Sequence, residues 1–144
     1  MKYFVFGPAY IIRLDPGEKV IETLTALCAR EKIGAGVLHG IGTVGEAELG
    51  WFDTDAKEYR TTRIREECEI VSLNGNISLL GGKPFVHAHV ALGSSSFGVR
   101  GGHLREAAVS ATAEIVLTRF FDDLERKKAP GSGATVLDLK LDGQ

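Results

Sequence analysis

The alternation of apolar and polar positions changes period along the chain, and each change predicts an element. KYFVFG and YIIRLD are rich in aromatic and β-branched residues and read as two strands, with Pro8 between them marking a bend or a sheet edge. The period then lengthens. Val20, Ile21, Leu24, Leu27 and Cys28 fall at i, i+1, i+4, i+7 and i+8, which is one face of a helix. Asp15 is placed to cap this helix, Pro16 suits its first turn, and Gly34 marks its end.

GVLHGIGTVGEAELGWFDTD carries a glycine every few residues and predicts one or two bent strands, bulged near Gly40, Gly42 and Gly45. EYRTTRIREECEIVSLNG alternates arginines with smaller residues, turns apolar at Ile70–Leu73, and predicts a strand ending at Asn74-Gly75. NISLLGGKPFVHAHVALG predicts a hairpin turning within Gly81–Pro84. LREAAVSATAEIVLTRF opens with helix formers and then alternates, so a short turn of helix followed by a long strand is expected. A polar segment, a Pro-Gly-Ser-Gly loop and a final short strand in ATVLDLK complete the chain. The fold class expected is α+β, a mainly antiparallel sheet flanked by one well-marked helix and a short second one.

Composition narrows the function classes. A chain of 144 residues fits a single domain over 1–144, large enough to bury a core without disulfides. The net charge of −2 argues against binding that relies on neutralising phosphates across the whole surface. Two widely spaced cysteines, Cys28 and Cys68, form neither a disulfide framework nor a zinc knuckle and read as small buried apolar groups. MKYFVFGPAY lacks the pattern of a signal peptide, and no apolar run approaches the roughly 18–20 residues of a membrane-spanning helix, so a cytoplasmic location is expected.

The candidate chemistry centres on VHAHV. Residues i and i+2 of a strand share a face, so His87 and His89 present their imidazoles side by side, their Cβ atoms about 7 Å apart. His103 follows in RGGHL, where paired glycines let the backbone fold close to that strand. Three histidines with a water in the fourth position form an open zinc site, and His39 is a possible additional ligand. The same spacing also suits partly exposed polar residues that bind nothing.

Other groups are available nearby. GVRGGH can form an anion-binding nest beside Arg100, or only a glycine-rich turn. Ser94, Ser95 and Ser96 lack the G-x-S-x-G context of a nucleophile. Glu106 and Glu114 can support a metal or act as an acid/base pair, and equally can serve surface or packing roles. Arg60, Arg63 and Arg65 read as a solvated strand face or a contact with another subunit.

GKPFVHAHVALG, GGHL and VSATAEIVL, in that order and preceded by EIVSLNGNIS, resemble the PPC domain, the plant and prokaryote conserved domain. The resemblance runs from the first strands to ATVLDLK. It implies a compact antiparallel sheet flanked by helices and assembled as a homotrimer. It further implies a metal, zinc, on the family's histidines, which map to His87, His89 and His103. In plants the domain follows AT-hook DNA-binding motifs; prokaryotic members stand alone, and some carry a DNA-binding label. This chain contains no Arg-Gly-Arg-Pro core of an AT-hook, so DNA is a weak partner candidate.

Two function classes follow. One is a homotrimeric binding or assembly module with a zinc site and a small-molecule or protein ligand. The other is a small zinc-dependent hydrolase or lyase using a metal-bound water. A DNA-binding protein is the weaker third.

Overall fold

The structure is a computed structural model and describes residues 1–139. Its strands are β1 (Lys2–Phe6), β2 (Ala9–Leu14), β3 (Gly36–Asp53), β4 (Glu58–Ile64), β5 (Cys68–Leu80), β6 (Lys83–Gly93), β7 (Val99–Arg119), β8 (Arg126–Lys128) and β9 (Thr135–Leu137), with one helix, α1 (Val20–Arg30). Seven strands form one sheet in the order β1-β2-β7-β6-β5-β3-β4, and every pairing is antiparallel. Because β3 also pairs with β7, the run β7-β6-β5-β3 closes on itself. Closure satisfies backbone groups that an open sheet would leave at an edge. β8 and β9 form a separate small hairpin.

The helix forms because its apolar stripe has something to cover. Val20, Leu24, Leu27 and Cys28 are buried, and α1 packs over β6 and β7, whose inward residues Leu92, Ile115 and Leu117 share its core. Ile21, expected on the same stripe, is only partly buried at its margin. Cys28 and Cys68 are buried and unpaired, as their spacing implied, and burial pushes the Cys28 thiol up to about 12.

Both expected helix boundaries need correction. Asp15 does not cap α1: the cap position is Lys19, whose side chain makes no capping bond, and the Asp15 amide instead donates to Glu18. Gly34 does not end the helix either. Lys32 takes the left-handed conformation (φ 53°), and the Ile33 amide donates back to the Cys28 carbonyl over 2.9 Å. This closing geometry carries Ile33 into the core, so the chain accepts a non-glycine there.

The second helix is also a correction. Among the described residues LREAAV is not helical; it lies inside β7. Its helix-forming residues pair instead with β3, and Leu104, Ala107 and Val109 face the core. Local propensity gives way to the ladder that the long neighbour β3 offers. Likewise Asn74-Gly75 is not a turn, because β5 runs through it to Leu80. The arginine-rich stretch is two strands broken at Arg65–Glu67. The glycine bulges are where the spacing put them: register shifts fall between Gly40 and Gly42, Gly42 and Val44, and Val44 and Glu46. The hairpin turns at Gly81-Gly82, both with positive φ, as a two-residue β-turn requires. Of the final expected strand, Thr135–Leu137 is present as β9, and Lys140 lies outside the described residues.

Candidate metal centre

β6 and β7 bring the three histidines together. His89 stands directly across from His103 in the ladder, and His87 is on the same face two residues along β6. Ring centroids are 5.3 Å apart for His87–His89, 5.1 Å for His87–His103 and 5.5 Å for His89–His103. One ring nitrogen from each lies within 4.8 Å of the other two. His87 and His103 are half-buried, and His89 opens to solvent.

Close backbone approach builds this geometry. A Cβ on Gly75 would lie 2.4 Å from the His87 carbonyl oxygen and 2.9 Å from the Ala88 Cα, so only glycine lets β5 lie this close to β6. On the other side a Cβ on Gly101 would come 2.6 Å from the Val90 carbonyl oxygen. Tyr59 lies against His103, centroid to centroid 5.2 Å, in space that the missing side chain of Gly50 leaves free.

Burial and neighbouring charge disfavour the protonated form of His87 and His103. Burial first, then the positive charge of Arg126 and the neighbouring histidines, lowers His87 to about 4. His103 is lowered too, chiefly by burial, then by His89, Arg105 and Arg126. A neutral imidazole has one lone pair, which can ligate a metal wherever no other donor already holds it. The Nδ1 of His103 is buried and has no hydrogen-bond partner. A ring nitrogen left without a partner inside a three-histidine group fits a metal ligand, because a buried polar atom otherwise carries the full cost of desolvation.

The other sequence candidates are placed elsewhere. His39 pairs with Asn74, which pairs in turn with His89, so it lies two strands from the group on the outer face. Glu106 accepts the backbone N–H of Ile21 at 2.8 Å and of Glu22 at 3.1 Å. It therefore caps α1. Glu114 is exposed far along β7, in register with Arg13 and Ile41. Arg100 forms an ion pair with Glu66, and the 99–103 backbone is paired in the β6–β7 ladder, so GVRGGH forms no nest. Ser94 bonds Ser96 and the Gly98 carbonyl within a turn. Arg60 pairs with Asp53 and Arg63 with Glu48, while Arg65 is exposed in the break between strands.

Sequence reasoning missed Arg126. From β8 its Nε donates to Ser78 Oγ (2.8 Å), its Nη1 to the Thr135 carbonyl (3.2 Å), and its Nη2 to Asn76 Oδ1 (2.8 Å) and His87 Nδ1 (3.0 Å). Its guanidinium also lies 5.3 Å from the Phe85 ring centroid. DDLERKK offers no period or motif that singles this arginine out. Asn74 and Asn76 did leave a signal: two amides at alternate positions around Gly75, in register with His89 and His87.

The fold has counterparts. Residues 1–121 match the model of the Plants and Prokaryotes Conserved (PCC) domain. Three solved structures are similar over nearly their whole length. A candidate DNA-binding protein from Bacteroides thetaiotaomicron is 30% identical with a TM-score of 0.92, covering 95% of this chain and 96% of its own. A plant- and prokaryote-conserved protein from Pyrococcus horikoshii is 36% identical with a TM-score of 0.86, covering 97% of each chain. A metal-containing protein from Archaeoglobus fulgidus is 35% identical with a TM-score of 0.84, covering 95% of this chain and 99% of its own. No curated protein matches the sequence. The chain belongs to the PCC domain family, the one its histidine blocks resemble.

Proposed function

We propose that this PCC-domain protein is a self-associating, homotrimeric metal-binding module whose His87, His89 and His103 hold zinc. The observation that carries the reading is the grouping of one nitrogen from each histidine within 4.8 Å. The orphaned His103 Nδ1 supports it, as does the relative from Archaeoglobus fulgidus described as metal-containing. All-nitrogen donor sets of this kind suit zinc, and three protein ligands leave a position for water or a ligand. His89, the exposed member, is where such a ligand would enter.

When bound there, zinc would supply Lewis acidity to whatever occupies its remaining position. The chain's own residues set the rest. Burial keeps His87 and His103 neutral. Tyr59 packs against the His103 ring. A hydrolase or lyase would need a base beside the metal. Among the described residues no carboxylate joins the histidine group, and Glu106 is committed to α1. Binding, with or without a small-molecule ligand, is therefore the reading we favour over catalysis. DNA is not the partner we propose, because the net charge is −2 and the basic side chains Arg60, Arg63 and Arg100 are paired with carboxylates.

The test is metal content. Protein loaded with zinc, desalted and submitted to elemental analysis should retain about one zinc per chain. His89→Ala and His103→Ala should weaken zinc binding by more than about 100-fold, since losing even an outer partner costs 10–100-fold. His39→Ala should leave it unchanged. A wild-type protein that retains no zinc would sink the site.

A further inference from the structure

Arginine has only donors, so in its contact with His87 the N–H belongs to Arg126 and the lone pair to Nδ1. The proton of the neutral His87 ring then sits on Nε2. In this state His87 has no free lone pair: Nδ1 spends its own on Arg126, and Nε2 is protonated. A metal ligand must have one. Zinc can take Nδ1 only if the guanidinium leaves, and can take Nε2 only if the proton moves to Nδ1, which then no longer accepts. Either route breaks the Arg126–His87 hydrogen bond.

The guanidinium also sets a fixed positive charge against His87, and it bears on His103 as well, after Arg105. Arg126 is buried and held by four other groups. Asn76 and Ser78 of β5 accept its protons on one side, and the Thr135 carbonyl of β9 accepts on the other, over the face of Phe85. Its position is therefore set by the docking of the β8–β9 hairpin on β5, next to the point where the Leu79 amide donates to the Leu124 carbonyl.

We propose that Arg126 is a built-in competitor of the metal. Its guanidinium holds His87 in the tautomer that cannot ligate, and zinc binding and the Arg126–His87 contact exclude each other. Because coupling between two equilibria is reciprocal, zinc loosens the hairpin that carries Arg126, and removing Arg126 tightens zinc. The inference rests on the zinc site proposed above.

Three measurements on the full chain test it. Nitrogen-15 NMR of the chelator-treated protein should show His87 as the Nε2–H tautomer; an Nδ1–H tautomer overturns the proposal without reference to zinc. Zinc dissociation constants, measured by competition with a chromophoric chelator, should be roughly tenfold or more tighter in Arg126→Met than in wild type, the loss of a hydrogen bond from a charged donor. Unchanged or weaker affinity in a folded Arg126→Met overturns the competition and leaves the zinc site standing. Zinc bound by neither protein overturns both. Hydrogen exchange at Lys127 and Lys128 of wild type should rise on zinc addition, which a purely structural arginine would not produce; unchanged exchange in protein that has bound zinc overturns the coupling. If Arg126→Met fails to fold, the tautomer and the exchange decide.

Discussion

Glu106 of β7 and Ile21 at the start of α1 are joined by a 2.8 Å hydrogen bond from the Ile21 amide to the Glu106 carboxylate, across 85 residues of chain. The second carboxylate oxygen accepts from Glu22 at 3.1 Å. Helix N-termini leave amides without partners, and a local Ser, Thr, Asp or Asn commonly takes them. Here the helix starts at Lys19–Val20 with no such residue, and a strand from the other half of the chain provides the acceptor. The negative charge also complements the positive end of the helix dipole.

Glu106→Ala should therefore cost about 1–2 kcal/mol of stability, the range of a lost cap. Glu106→Gln, which keeps one acceptor oxygen, should cost less. Urea unfolding with an unchanged m value measures this, and zinc affinity should not move. A change in zinc affinity without loss of stability would return Glu106 to the metal site.

What the sequence made legible follows from distance along the chain. The α1 stripe, the glycine bulges of β3 and the Gly81-Gly82 hairpin are local patterns, and all three are present. So is the His87–His89 pair, which strand period alone puts on one face. Bringing in His103 depended on the glycines before it and on the family resemblance. Apart from the helix end, which Lys32 rather than Gly34 closes, the misses are long-range. Asp15 looked like a cap because the competing acceptor, Glu106, is remote. LREAAV looked helical because its partner β3 is more than fifty residues away in sequence. Asn74-Gly75 looked like a turn because a glycine needed for close strand approach is indistinguishable, in sequence, from one needed for a bend. Arg126 reaches the site from a hairpin that no motif marks.

That glycine makes a specific prediction. Gly75→Ala would drive a methyl group to 2.4 Å from the His87 carbonyl oxygen, inside any ordinary contact distance. Backbone has little room to yield in a closed sheet, so the strands must separate locally. We expect a loss of about 1–3 kcal/mol, the cost of overpacking, together with weaker zinc binding because His87 moves with its strand. Thermal unfolding with and without zinc distinguishes the two effects. An alanine variant as stable as wild type would contradict the close approach.

The histidine cluster also sets a pH dependence for the metal-free protein. The folded state holds His87 at about 4, whereas an unfolded histidine titrates near 6.5. Between those values the unfolded chain binds a proton that the folded chain does not, so stability rises with pH. His87 therefore contributes fully above about pH 6.5, and its contribution is lost as the pH falls toward 4. The groups facing it act in the same direction: Arg126, His103 and His89 all disfavour a positive charge on His87. The melting temperature of chelator-treated protein should fall between pH 6.5 and 4, and His87→Gln should flatten that slope. A slope of equal steepness in the variant would assign the effect to other groups.

Self-association is the last prediction, and the outer face of the sheet carries it. Ile11 of β2, Ile41 of β3 and Val71 of β5 are 44%, 60% and 56% exposed, and they line one shallow concavity with His39 and Glu114. Contiguous apolar surface of this kind marks an interaction site more often than a monomer's free surface. In the homotrimer proposed above, another copy of the chain would cover this face. Ile41 points outward, so Ile41→Glu leaves the core intact while placing a second carboxylate beside Glu114, its ladder partner. Light scattering at micromolar concentration should give a trimer for wild type and a smaller species for Ile41→Glu, with unchanged circular dichroism. A monomeric wild type would remove the assembly from the proposed function. A variant that stays trimeric would move the interface off this face, and Trp51, Phe97 and Phe121, at 62%, 93% and 83% exposure, would be the next positions to charge.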